Sequence, residues 1–284
     1  MLRVVNHGVY TSIQDLGRFQ YREYGVPLSG AMDQYSAQLA NLMAGNNEND
    51  AVLEVTFNGI FQFTRETILC ISGADLHATL NNDILPCNYP VKVQKDSILK
   101  FTRPNYGARS YVAVKGGFLN KPILGSRSLF KEITAKYVLK NDDEIFYEPY
   151  YFDGNLAFSH VKINKDHFVS QFIEVFKGPE YDLLNKDQQN LLTKADFTIS
   201  KEHNRMGYKL VETIENDLSS MLTSSMIPGT VQLTPSGTLI ILMRDCGVTG
   251  GYPRILQLTD EAINRLAQKT TNDQITFKLV DLPT

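Results

Sequence analysis

The chain has 284 residues, of which 28 are basic and 31 acidic, for a net charge of −3, and 43% are hydrophobic. That length suits about two ordinary domains of ~100–150 residues. The lack of a Lys/Arg surplus argues against a nucleic-acid binder, and the apolar content argues against disorder. The longest purely apolar run, residues 239–243, is far short of the ~20 residues needed to span a bilayer, so no membrane association is expected. The opening MLRVVNHGVY has no apolar core of the kind a secretory signal needs. Three cysteines, Cys70, Cys87 and Cys246, lack CxxC spacing, which points to a reducing, cytoplasmic setting. His7, His77, His160, His167 and His203 are scattered and show no zinc-ligand spacing.

In chain order, the first clear element is helical. Tyr35, Leu39, Leu42 and Met43 recur at i, i+4, i+7 and i+8 between Ser29-Gly30 and Gly45, predicting a helix over 31–44 with those side chains on its buried face. Strands are expected at 53–57, 61–63, 67–71 and 111–114, where β-branched and aromatic residues alternate with turn signals such as Asn58-Gly59 and Gly116-Gly117. Residues 148–171 lose all periodicity, and a domain boundary is placed there, giving units 1–155 and 156–284. Beyond it come a strand at 172–176, a helical run from Gly178-Pro179 to Lys194 with Leu184, Leu191 and Leu192 on one face, and a strand at 197–200. Strands at 230–233 and 239–243 are joined by Pro235-Ser236-Gly237; Thr259 caps a helix carrying Ile263 and Leu266, and a strand at 274–278 follows. The fold class is therefore mainly β with a few helices, and strand and helix do not alternate as in a doubly wound sheet.

Four loops are chemically suggestive. Arg244 to Pro253 follows an apolar strand and contains Asp245, Thr249, Gly250, Gly251 and Tyr252. Its Gly-Gly pair suits positive φ with exposed N–H groups able to cradle an anion, or a plain tight turn. Arg205, in the tetrapeptide RMGY, offers a guanidinium fork to a carboxylate or phosphate, or covers apolar surface with its stem. Ser126, Arg127 and Ser128 place one guanidinium between two hydroxyls, suited to a small anion. Ser29 and Asp33 flank a helix start whose N–H groups could receive an anion or could simply be capped. No GxxxxGK[ST], GxGxxG or GxSxG motif is present, so a P-loop, a dinucleotide fold and a hydrolase elbow are unsupported.

Together, GVYTSIQDLGRFQYREYGVPLSGAMD, AVLEVTFNG, ISGAD, YVAVKGGF, LGSRS, NRMGYKL, PGTVQL and TGGYPRI resemble, in this order, the biotin-dependent carboxyltransferase-like family, also called the allophanate hydrolase subunit 2 or KipA family. Within it the chain is most similar to stand-alone bacterial members that serve as the C component of 5-oxoprolinase. The resemblance implies two cyclophilin-like β-barrel halves, and partnership with a KipI-like B component and an A component of the same enzyme. The activity implied is opening of 5-oxo-L-proline to L-glutamate with ATP and Mg²⁺ at the level of the complex. It implies, as alternatives, a regulatory protein that binds a KipI-like partner, or carboxyl transfer from biotin to urea or a similar amide. Under the first reading Arg205 or Arg127 would take the substrate carboxylate. Thr249, Gly250 and Gly251 would face phosphate or oxyanion, and Asp245 would handle a metal ion or a proton. Ser126, Ser128, Tyr252, Ser29 and Asp33 would complete the binding residues. Departures from the family pattern are Asn204 before the RMGY arginine, Gly247 where Gln is frequent, PSG for PDG, and the lack of Trp, with Tyr181 in a segment where Trp is often seen.

Overall fold

A computed structural model describes residues 1–151, 161 and 164–281. The expected boundary at 155/156 and His160 lie outside the described residues. By its contacts the chain divides into one unit of Met1–Arg18 with Ser29–Val169 and a second of Phe19–Leu28 with Ser170–Thr284. Most of the regular structure among the described residues is β, as the sequence predicts; there are four α-helices where the sequence predicts three, the additional one, Asp166–Val169, lying in the stretch read as aperiodic.

The first unit contains β1 (Leu2–His7), β2 (Thr11–Gln14), α1 (Gln34–Met43), β3 (Val52–Val55), β4 (Gly59–Phe63), β5 (Thr67–Asp75), β6 (Thr79–Leu80), β7 (Asp83–Ile84), β8 (Val91–Val93), β9 (Ile98–Lys100), β10 (Tyr106–Val114), β11 (Glu144–Ile145) and α2 (Asp166–Val169). The strands form a six-stranded sheet, β11-β1-β4-β9-β6-β7, and a five-stranded sheet, β2-β3-β10-β5-β8. Alternation along the strands explains how they pack. Leu2, Val4, Phe61, Phe63 and Leu99 from the first sheet meet Leu53, Val55, Leu69, Ile71, Val112 and Val114 from the second in one core. The opposite face of the second sheet gives Val52, Cys70, Tyr111 and Ala113 to α1. With both faces covered, β5 and β10 read as almost unbroken buried runs.

The buried side of α1 differs from the expectation. Ser36, Ala37, Ala40 and Asn41 face inward, whereas Tyr35 and Leu42 are exposed. Small side chains let the helix axis approach the sheet closely, and this requirement outweighs the periodicity of the large apolar residues. The helix also starts later than expected, at Gln34, because the Asp33 carboxylate accepts from Ser36 N (3.1 Å) and Ser36 Oγ (2.6 Å) and caps it.

The second unit contains β12 (Phe172–Lys177), α3 (Lys186–Lys194), β13 (Phe197–His203), β14 (Gly207–Thr213), β15 (Ser224–Ser225), β16 (Thr230–Leu233), β17 (Thr238–Leu242), β18 (Thr249–Gly250), β19 (Arg254–Leu258), α4 (Asp260–Leu266) and β20 (Gln274–Leu279). β12-β19-β16-β17-β14-β13-β20 close into a barrel through the parallel pairing of β20 with β12. The run expected as a fully apolar strand alternates in β17: Leu239 and Ile241 are buried, while Ile240 and Leu242 are half-buried. The helix expected from Gly178-Pro179 is a 3₁₀ turn, Tyr181–Leu183, followed by α3. Asn185 restarts the chain with a capping box to Gln188, and Leu191 stays exposed while Leu184 and Leu192 are buried.

Buried polar groups beneath α1 form one connected set. The Tyr111 hydroxyl accepts from Asp33 N (2.8 Å) and donates to Glu54 Oε2 (3.0 Å), which also accepts from Met32 N (2.8 Å). Burial first, then the Glu54 and Asp33 carboxylates, hold the phenol well above its usual range, so it remains a donor. Tyr111→Phe removes both the acceptor of the Asp33 N–H and a donor to Glu54. A loss of about 1–3 kcal/mol in chemical denaturation is expected, and unchanged stability would show that the hydroxyl is dispensable.

Candidate functional site

The turn between β13 and β14 is shaped by Asn204, whose Oδ1 accepts from Met206 N (2.7 Å) and Gly207 N (3.3 Å). The turn docks on the segment after β17: Met243 N donates to Met206 O (3.0 Å) and Asp245 N to Arg205 O (2.9 Å). The side chains complete the attachment, with Arg205 Nε on Asp245 Oδ2 at 2.8 Å and Nη2 on Oδ1 at 3.0 Å. Both side chains are less than a tenth exposed. Two residues expected to face substrate separately therefore face each other in a bidentate, buried ion pair.

A cavity of about 530 Å³ lies against this brace, with Asn204, Met206, Gly207, Cys246 and Gly247 among its lining residues. Ile240 and Leu242, the half-buried residues of β17, supply apolar wall, and Lys201, His203 and Lys209 supply basic groups. Lys209 is paired with Glu202. His203 Nε2 lies 3.1 Å from Thr271 Oγ1, and its ring packs on Tyr208 with centroids 4.9 Å apart. Burial pushes the Cys246 thiol up to about 11, so at neutral pH it is a packed thiol and not a thiolate nucleophile. Chemically, the cleft suits a small anion with an apolar body. Lys201, His203, Lys209 and Cys246 carry no sequence motif of their own; strict alternation would part the two lysines, and the register shift between Ile199 and His203, which leaves no sequence signal, lies between the paired positions where both line the cleft.

The Gly-Gly loop behaves differently from its expectation. Neither Gly250 nor Gly251 has positive φ. Gly250 pairs with Ser224 in the short β15–β18 ladder, and Gly251 O accepts from Met221 N (2.7 Å). Glycine is needed there for close approach: a Cβ at 251 would sit 2.9 Å from Met221 O, and one at 250 about 3.0 Å from the Gln232 amide. Thr249 is exposed and Tyr252 partly so. Next in the chain, Arg254 grips Glu180 through Nε to Oε2 (3.0 Å) and Nη2 to Oε1 (2.9 Å). These hydrogen bonds hold the Glu180 carboxyl below its ordinary value.

In the first unit, Ser126, Arg127 and Ser128 do surround an anion, and it is the chain's own Asp15. Its Oδ1 accepts from Ser126 Oγ (2.7 Å), Ser128 Oγ (2.6 Å) and Gly17 N (2.8 Å), and its Oδ2 from Arg127 N (2.6 Å). The Arg127 guanidinium donates to Asn120 O, and the fully buried Arg18 to Ser128 O. Ser29 is buried with φ 58. Asp33 caps α1 and also meets His167 Nε2 at 2.9 Å. Asp15, Glu54 and Tyr111 were not singled out by the sequence, since a buried carboxylate and a buried tyrosine leave no spacing pattern. Among the described residues, no group of three or more His, Cys, Asp or Glu side chains gathers as a metal site would require.

A family model described as "Carboxyltransferase domain, subdomain A and B" matches residues 24–279. The chain is 30% identical to the C subunit of 5-oxoprolinase from Escherichia coli over 284 residues, covering 98% of this chain and 90% of that protein. Over 129 residues, 45% of this chain and 7% of that protein, it is 40% identical to urea amidolyase of Lachancea kluyveri. Among solved structures, the urea amidolyase of K. lactis superposes with a TM-score of 0.88 at 26% identity over 99% of this chain. The chain spans only 19% of that enzyme's length.

Two outcomes follow from this geometry. Asp245→Asn removes the charge partner of a buried guanidinium and is expected to cost about 3–5 kcal/mol in chemical denaturation; a loss near zero would mean the pair braces nothing. For Glu180, whose folded value is depressed, the stability contributed by Arg254 is complete above 4.5 and is lost as pH falls through the lower folded value. The gap in denaturation midpoint between wild type and Glu180→Gln is therefore expected at pH 7 and should shrink at acid pH, whereas a pH-independent gap contradicts it.

Proposed function

The chain belongs to the carboxyltransferase subdomain A and B family, and from that premise we propose that it is the C component of an ATP-dependent 5-oxoprolinase, acting with the A and B components to convert 5-oxo-L-proline to L-glutamate. The observation that supports this most is the similarity to a 5-oxoprolinase C component along nearly the whole of both chains.

The chemistry sets what such a component must supply. A lactam carbonyl is a poor electrophile; transfer of a phosphoryl group from ATP to its oxygen releases ADP and activates the carbon, so that water adds, the C–N bond breaks with protonation of the ring nitrogen, and a second water cleaves the resulting acyl phosphate to glutamate and phosphate. The substrate's carboxylate needs a cation, and its ring needs an apolar wall. The cleft beside the RMGY turn offers both, with Lys201 as the binding cation and Ile240 and Leu242 as wall. In this reading Arg205 is a positioning residue that acts through Asp245, because its Nε and Nη2 are engaged there. Thr249 stays a candidate for contact with the reacting carbonyl or phosphate. Both carboxylate oxygens of Asp245 meet Arg205, so Asp245 is not assigned to a metal ion here. No step on this chain is routed through ATP, which belongs to the assembled complex.

Carboxyl transfer from a biotin-linked donor to urea is a second reading, favoured by the likeness to urea amidolyase. Coexpression with the A and B components separates the two. The complex is expected to form glutamate and ADP only when 5-oxoproline is present; ATP turnover that ignores 5-oxoproline would sink the proposal, and urea-dependent turnover with a biotin carrier would favour the second reading. Within an active complex, Lys201→Ala is expected to raise the KM for 5-oxoproline about tenfold with a smaller effect on kcat, and an unchanged KM would remove Lys201 from the site.

A further inference from the structure

The first unit has a cavity of its own, about 540 Å³, lined by residues of both of its sheets. Ala78, a member of the shared core, is among its lining residues. Two cross-strand pairs line the space. Asp75 and Tyr106 are register partners on β5 and β10 of the five-stranded sheet, and Thr79 and Lys100 are register partners on β6 and β9 of the six-stranded sheet. Register partners project to one face, so one sheet brings a carboxylate and a phenol and the other an ammonium. Ile84, Leu85 and Pro86 add an apolar side.

The polar groups are preset for a ligand. Asp75 is held by His77 N on Oδ1 (3.0 Å) and Asn105 Nδ2 on Oδ2 (3.2 Å), which fixes its plane. His77 sits at φ 48, a costly conformation for a residue with a Cβ. Its Nδ1 lies 2.8 Å from Arg103 O, which requires a proton on Nδ1 and makes Nε2 the acceptor in the neutral ring. The Tyr106 ring is clamped, with Phe168 at 5.0 Å between centroids and Lys165 Nζ 5.7 Å from its own centroid. Burial raises the phenol to about 12 and the Cys87 thiol to about 11, so both remain protonated donors. The cavity volume is within the range of ordinary small-molecule sites.

We propose that this cavity is a binding site for a small α-amino acid with an apolar side chain, its carboxylate on Lys100 and Tyr106, its ammonium on Asp75 and its side chain against Ile84, Leu85 and Pro86. A cation and an anion that line one cavity beside apolar side chains match a zwitterion; a dianion or a polycation would leave one of the two charges opposed. The thiol of Cys87 serves as wall and donor, with no covalent step. The residues that line the site all lie within 75–106, and none of them lines the cleft assigned to 5-oxoproline.

The test titrates the full chain with L-leucine while amide NMR shifts are followed, alongside leucinamide, which lacks the carboxylate, and N-acetyl-L-leucine, which lacks the ammonium. Leucine is expected to move signals from residues 75–106 at millimolar concentration, and each analogue to bind about tenfold more weakly. In Lys100→Met leucine and leucinamide are expected to bind alike, and in Asp75→Asn leucine and N-acetyl-leucine. Both variants are expected to retain the 5-oxoproline-dependent ATP hydrolysis of the assembled complex, which separates this site from the proposed reaction. No shift in that segment, shifts centred on residues 201–247, or equal binding of leucine and both analogues to the wild type overturns the proposal.

Discussion

A guanidinium and a carboxylate shielded from water must satisfy each other, and the Arg205–Asp245 pair turns that requirement into architecture. The pair ties the turn between β13 and β14 to the segment leaving β17, and two backbone hydrogen bonds run beside it. The candidate groups of the second unit hang from these two stretches: Lys201, His203 and Lys209 flank the first, and Cys246, Gly247 and Thr249 follow the second. With the pair in place the cleft has fixed walls. Without it the two loops lose the side-chain tie that sets their register.

The same constraint recurs in the first unit with the signs rearranged. Asp15 is a buried carboxylate answered by two hydroxyls and two backbone N–H groups, and that set of donors is what folds the Gly125 to Ser128 loop. The Glu54 carboxylate is answered in part by the Tyr111 phenol, whose oxygen also accepts from the backbone N–H of Asp33. Loops that look equipped to bind an external anion are thus organised around an internal one. Charged groups of both signs meet open space and apolar wall elsewhere, in the cleft beside the RMGY turn and in the cavity near Asp75.

The β-rich class, the main strands and the helix at 260–266 were legible in the sequence because their signals are local: runs of β-branched residues, turn residues and a capping threonine. The order of motifs made the family legible as well. Two features depended on distance in sequence and were not legible. The buried face of α1 is made of Ser36, Ala37 and Ala40, small residues whose value lies in how near they let the sheet come. The partners of Arg205, Ser126 and Ser128 lie 40, 111 and 113 residues away, so side chains that read as free donors are already engaged. Gly250 and Gly251 show a related difference, since the steric reason for glycine is Gln232, Met226 and Met221 from other elements and not the backbone angles of the loop.

If the ion pair shapes the cleft and does not itself hold substrate, its charge is replaceable by apolar volume. Under the proposed function, the direct measurement is 5-oxoproline-dependent ATP hydrolysis by the chain coexpressed with A and B components and carrying Arg205→Met together with Asp245→Leu. A folded double variant is predicted to keep the wild-type KM for 5-oxoproline, because well-packed apolar residues commonly replace a buried pair at little cost in stability. A folded double variant whose KM rises by orders of magnitude would contradict the account and return Arg205 to the substrate.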